Sequence, residues 1–349
     1  MEKPSGMDRN RIRVTAVAAP PLDQQDFELV ERKGIGHPDT ICDEIVEAVE
    51  HRLCREYQRR FGRIMHHNID KSFLVAGQSH PRPGGGTLVQ PMRFIIGDRA
   101  VYEYEGARIP LAELAEQAVA DWFRTHLRFV DPVRHLVFQN EIAPGSAELV
   151  DSFSRRWIGA NDTSVGVGHA PLSPTEELVL AIEQWLNSSD FKNSFPVSGE
   201  DIKLMACRRG RDLDLVVAMA FVDRFVESVS GYFLKKAEIL QRIQDFAEHR
   251  STAFRSVKVA LNMLDDPARG EDGIYLTVLG TSAEAGDSGQ VGRGNRVNGI
   301  ISYNRPTTTE AAAGKNPVSQ TGQLRMQAPH SMHASMSLRR TLLLVHSNT

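Results

Sequence analysis

Two apolar runs rich in β-branched residues, Ile202 to Cys207 and Leu213 to Val222, are separated only by Arg208, Arg209, Gly210, Arg211 and Asp212. A polar, glycine-containing link this short cannot carry a helical crossover, which needs about a dozen residues or more, so the two runs pair as an antiparallel hairpin. A strictly alternating parallel sheet is thereby disfavoured. Hairpins interspersed with single helices read as an α+β layered fold.

The helices are marked by period and by caps. After Gly34-Ile35-Gly36-His37-Pro38-Asp39, the residues Ile41, Ile45, Val46, Val49 and Leu53 recur at helical spacing, with Asp39 or Thr40 placed to cap and Arg59 and Arg60 near the end. A second helix is expected over Leu111 to Leu127, and a further one from about Val226 to His249. Ser173-Pro174-Thr175-Glu176 is a capping box with proline at the first helical position, followed by Leu178, Val179, Ile182 and Leu186 on one face. Strand-like runs occupy Ser72 to Ala76, Met92 to Ile96, His135 to Phe138, Val257 to Leu261 and Ile274 to Leu279. The first 25 residues lack periodicity and read as a mobile arm leading to an ordered segment near Phe27 to Arg32.

Composition narrows the function. The 349 residues suggest two to three domains at roughly 150 residues each, and 41% hydrophobic content is enough to bury their cores. With 41 basic against 44 acidic side chains there is no positive excess of the kind that nucleic acid or an anionic membrane selects. No apolar run approaches the ~18 residues of a membrane span, and no secretory leader is visible, so the cytoplasm is the expected location. Three cysteines, Cys42, Cys54 and Cys207, lack C-x-x-C spacing, which argues against a disulfide framework or a thiolate zinc site and favours buried free thiols. No Asp or Glu occurs after Glu310, so the last segment is different material and reads as a tail.

Glycine-rich stretches recur at Gly34 to Gly36, Gly84 to Gly86, Gly166 to Gly168 and Gly286 to Gly294, and loops of this kind expose backbone N–H groups to anions such as phosphate. Neither a P-loop nor a dinucleotide fingerprint is present. His37 and Asp39 stand just before a helix N-terminus, where the dipole favours an anionic ligand, although Asp39 serves equally as a helix cap. Asp287, Arg293 and Arg296 surround three glycines in a composition suited to bidentate phosphate contacts, and Lys315 sits alone among small residues as a point charge; a solvated loop and a surface lysine are the plainer readings. These residues alone point to an α+β enzyme handling a phosphorylated ligand.

Six ordered blocks, VERKGIGHPDTICDEIVEAV, HHNID with its following GGG, NDTSVGVG, GEDIKLMACR, GRGNRVNGII and EAAAGKNPVS, run from about Phe27 to Gly322. Together they resemble the archaeal-type methionine adenosyltransferases, or S-adenosylmethionine synthetases. The resemblance implies conversion of ATP, L-methionine and water to S-adenosylmethionine, phosphate and pyrophosphate, with Mg²⁺ and K⁺. It also implies a homodimer with active sites between subunits, and three similar α+β domains around a pseudo-threefold axis. On that pattern residues 1–25 are the arm, 26–145 the first domain, 146–250 the second, 251–322 an incomplete third and 323–349 an atypical tail. A non-catalytic or degenerate nucleotide-binding homologue that partners an intact copy is the alternative.

Carried over by motif, the resemblance gives His37 as donor to the triphosphate near the leaving oxygen, Lys203, Lys315 and Arg293 as phosphate-binding cations, and Asp39 as the Mg²⁺ ligand. It assigns ATP contacts to Asp162, Ser164, Gly166 and Gly168, and to Asp287 the methionine ammonium or a metal. Asp43 and Asp70 read more simply as a helix carboxylate and a strand-end turn. The chain departs from the family where His169 replaces an aromatic residue, and again at Gly322-Gln323, where the family continues with glycine-lysine. The altered ending is expected to leave the last domain without its final elements and with an apolar face uncovered.

Overall fold

Helix α1 (Pro38–Phe61) follows directly on strand β1 (Phe27–Lys33) in the computed structural model, which describes residues 20–147, 151, 169–250, 252–291 and 300–303. The cap is His37 rather than Asp39 or Thr40: its Nδ1 accepts from the Asp39 N–H at 3.2 Å. Pro38 explains the earlier start, because its fixed φ suits the first helical position and it has no N–H to leave unsatisfied. The helix ends at Gly62, whose left-handed φ of 67° lets its N–H donate to the Gln58 carbonyl at 3.0 Å. Ile41, Ile45, Val46, Val49, Leu53 and Tyr57 form its buried face.

That face packs on a four-stranded sheet of order β9-β2-β3-β4, made of β2 (His67–Val75), β3 (Met92–Ala100), β4 (Leu136–Pro144) and the two-residue β9 (Gly289–Gln290). Helix α2 (Leu111–His126) lies beside α1, and Phe94, Ile96, Leu74, Ala115, Trp122 and Phe123 complete this core. Fully burying each large apolar side chain contributes about 1.5–3 kcal/mol, so this layer fixes where α1 can lie.

A second, six-stranded sheet has the order β7-β6-β5-β1-β10, with β8 alongside β6. Its strands are β5 (Ser198–Arg209), β6 (Asp212–Val222), β7 (Ser256–Leu261), β8 (Leu276–Thr277), β10 (Ile300–Tyr303) and β1. The hairpin is present, with β5 and β6 antiparallel about the Gly210 turn, while β6 and β7 run parallel. Strand β1 is antiparallel to β5, from Phe27 opposite Arg209 to Lys33 opposite Lys203. Helices α3 (Pro174–Leu186) and α4 (Val229–Arg250) cover this sheet, with the Trp185 and Phe246 rings stacked at 4.3 Å. The architecture is α+β, as expected.

The capping box forms in full: Ser173 Oγ accepts from the Glu176 N–H at 3.1 Å, and the Ser173 N–H donates to Glu176 Oε2 at 2.7 Å. The expected strand over Ile274 to Leu279 shrinks to Leu276–Thr277, because the Val278 and Leu279 N–H groups donate instead to the buried Glu284 carboxylate. The end of the N-terminal arm is tied down, since the Arg208 guanidinium donates to the carbonyls of Leu22 and Gln25 at 2.9 and 2.8 Å. Arg208 also pairs with buried Glu28, which accepts from Ser173 Oγ as well. Cys42, Cys54 and Cys207 are all free thiols. No helix among the described residues is long and apolar enough to cross a membrane.

Candidate active site

The loop between β1 and α1 continues along β5 after the strand ends. Gly34 N–H donates to the Ile202 carbonyl at 2.7 Å, and Gly36 N–H donates to the Glu200 carbonyl at 3.1 Å. Any Cβ on Gly36 would overlap the backbone of Glu200 and Asp201, which is the physical reason for glycine at that position. Thr281 Oγ1 donates to the Gly36 carbonyl at 2.7 Å, tying the loop to the chain before β9. His37 is thereby held at the N-terminus of a 24-residue helix.

The buried His37 ring accepts at Nδ1, so the neutral imidazole carries its proton on Nε2 and presents a donor there. Burial lowers its pKa to about 3 against the pull of Asp39, with Lys33 and Lys203 pushing the same way as burial. Asp39 has both oxygens engaged: Oδ2 accepts from Lys33 Nζ at 2.8 Å and Oδ1 from the Gln290 N–H at 3.0 Å. Burial pushes the Asp39 carboxyl up, but Lys33, His37 and the Gln290 N–H together outweigh it and the group sits below its ordinary value.

Glu31 links the two lysines, lying 3.4 Å from Lys203 Nζ and 3.8 Å from Lys33 Nζ. Next along β5, Asp201 accepts from the Ser282 N–H at 2.8 Å and from its hydroxyl. Burial pushes Asp201 up to about 6, Asp287 adds to that rise, and Lys203 opposes it. The structure therefore gathers His37, Asp39, Lys203 and Asp287 into one electrostatically coupled cluster, built from the β1–α1 loop, β5 and residues 281–290.

Lys33, Glu31 and Asp201 belong to the cluster although their sequence did not single them out. Lys33 and Lys203 sit opposite each other in register, and that pairing needs strands 170 residues apart to be matched. Asp43 lies on α1, and Asp70 lies inside β2 beside a bulge, paired with Lys71, rather than in a strand-end turn. His169 contacts the buried Glu176 carboxylate at 3.0 Å. Asp162, Ser164, Gly166, Gly168, Arg293 and Lys315, with the tail, lie outside the described residues. A separate cleft of about 620 Å³, lined by Arg128, Arg134, His135 and Arg224 among others, contains none of the cluster.

The family described as S-adenosylmethionine synthetase (AdoMet synthetase) matches residues 10–336. The chain belongs to this family. A probable S-adenosylmethionine synthase of Aquifex aeolicus is 46% identical over 318 residues, covering 90% of this chain and 78% of that protein. The S-adenosylmethionine synthases of Pyrococcus furiosus and Pyrobaculum aerophilum are 47% and 46% identical, over 91% and 90% of this chain and 79% of each relative. The AdoMet synthetase match spans every element that builds the cluster, from β1 through Gln290.

Proposed function

We infer that the chain transfers the adenosyl group of ATP to L-methionine, forming S-adenosylmethionine and tripolyphosphate, which water then hydrolyses to phosphate and pyrophosphate. Family membership supplies the reaction. The observation that supports placing it here is a neutral, buried histidine donor at a helix N-terminus with two lysines close enough to depress its protonation.

The methionine sulfur is nucleophilic without losing a proton, so attack on C5′ of the ribose needs no general base. Catalysis must hold sulfur in line and stabilise charge growing on the leaving oxygen, and preorganised donors of that kind contribute about 3–4 kcal/mol each. The fixed His37 Nε2–H serves that oxygen, and the N-terminus of α1 favours the same negative charge. Lys203 meets the phosphates, with Glu31 holding the ammonium in place until substrate arrives. Arg293 and Lys315 join them, while Asp162, Ser164, Gly166 and Gly168 bind the nucleoside. Asp287 receives the methionine ammonium.

Asp39 fits a magnesium ligand by its chemistry: it is a hard oxygen donor held ionised beside the phosphate-binding groups, and its engaged oxygens keep further lone pairs. Mg²⁺ bound there supplies positive charge to the polyphosphate. K⁺ accompanies it, and the working assembly is a cytoplasmic homodimer. The test is to incubate the purified chain with ATP, methionine, Mg²⁺ and K⁺ and follow product by mass spectrometry. A sulfonium product at the mass of S-adenosylmethionine is expected; nucleotide binding without that product overturns the reading.

A further inference from the structure

Glu50 and Cys54 are four residues apart on α1 and so share a face, and the chain turns back after Gly62 to bring His67, the first residue of β2, against them. Glu50 Oε1 lies 3.3 Å from Cys54 Sγ and 3.2 Å from His67 Nε2, and Cys54 Sγ lies 3.5 Å from His67 Nε2. The triangle closes on all three edges. Tetrahedral zinc, with bonds of ~2.0–2.3 Å, sets its ligand atoms ~3.3–3.6 Å apart. The observed edges match that spacing.

His67 Nδ1 is 2.8 Å from the Met65 carbonyl, which can only accept, so Nδ1 carries a proton and Nε2 is the ring atom turned toward the other two groups. Nε2 lies 3.2 Å from the Glu50 carboxylate oxygen and 3.5 Å from Cys54 Sγ, so one sulfur, one nitrogen and one oxygen converge on a single point. A cation at the centre satisfies all three groups at once. The Nδ1–H to carbonyl bond is also the arrangement that orients metal-bound histidines elsewhere.

We propose that Glu50, Cys54 and His67 form a divalent transition-metal site, occupied by Zn²⁺, that clips the second half of α1 to the start of β2. A mixed sulfur, nitrogen and oxygen set selects zinc over Mg²⁺ or Ca²⁺, which take oxygen ligands. Binding displaces the Cys54 thiol proton to solvent, and the half-exposed Glu50 side leaves the fourth position to water. Glu50 lies thirteen positions beyond His37, about 20 Å along the helix axis, so the site stands apart from the phosphate-binding cluster.

The test uses the tag-free full chain, stripped with a chelator and titrated with Co²⁺ in the absence of nucleotide. One equivalent per chain is expected, with a thiolate-to-cobalt charge-transfer band that added Zn²⁺ abolishes. Cys54→Ser loses the band, Cys207→Ser keeps it, and Glu50→Gln weakens Zn²⁺ binding at least about tenfold. Absence of the band in the unsubstituted chain, or its survival in Cys54→Ser, overturns the site. Should Cys54→Ser fail to fold, unchanged Zn²⁺ affinity in Glu50→Gln overturns it as well.

Discussion

Lys33 and Asp39 meet across the glycine loop, with Nζ 2.8 Å from Oδ2, and the pair joins the end of a strand to the first turn of a helix. Both side chains are largely shielded, at 5% and 14% exposure, so removing one strands the other. Lys33→Met is expected to destabilise the fold by about 3 kcal/mol, because it leaves a carboxylate uncompensated. Urea unfolding measures it; an unchanged midpoint refutes that role.

Gly36→Ala tests the loop itself. The added methyl overlaps backbone at Glu200 and Asp201, so the loop must move and His37 with it. A shift of that order at a reacting centre costs about 10²-fold, so kcat should fall by about that factor even in protein that remains folded by circular dichroism.

His37→Ala and Lys203→Met each remove a charge-stabilising partner that matters most when the leaving oxygen gains charge. Each should lower kcat by about 10²–10³-fold while the KM for methionine changes little. A raised KM at full kcat contradicts both assignments.

Glu284, in the same segment as Ser282, supplies a pH signature of its own. It accepts from the Val278 and Leu279 N–H groups and from Ser79 Oγ, yet burial pushes its carboxyl up from 4.5 to about 7, the hydrogen bonds notwithstanding. A carboxyl raised in the folded state holds its proton more tightly there than in the unfolded chain. Stability therefore falls as pH rises from about 4.5 to about 7 and levels off above, a contribution of up to about 3 kcal/mol. Glu284→Gln should flatten that slope in urea titrations across the same window.

Ser173→Ala deletes two bonds together, the cap on Glu176 and the donation to buried Glu28. About 2–3 kcal/mol of destabilisation is expected, beyond the ~1 kcal/mol of a cap alone, since fully buried Glu28 loses a hydrogen-bond donor. Thermal unfolding at neutral pH reads the difference.

Local signals were legible wherever one segment determines its own shape. Ser173 to Glu176 spells a capping box, and the Arg208 to Asp212 link spells a hairpin, because both are settled within a few residues. His37 as a cap was not, since Pro38 moves the helix start and imidazole is an uncommon capping group. The Ile274 to Leu279 run contains strand-forming residues, but Glu284 takes two of its N–H groups, a competition invisible to periodicity. The resemblance named His37, Asp39, Lys203 and Asp287, which lie together in the fold, whereas Lys33, Glu31 and Asp201 join them only once β1 and β5 are set in register. The Cys54 triangle was hidden for a similar reason: one ligand comes from the next element, so no compact spacing announces it.

The bond from the Gln290 peptide nitrogen to Asp39 crosses 251 positions of chain using main chain alone on one side. Position 290 can therefore accept almost any side chain and still make it, and alanine scanning would score the residue as silent. Proline, which has no hydrogen to give, is the one replacement that unfastens this clasp while leaving every neighbouring side chain intact.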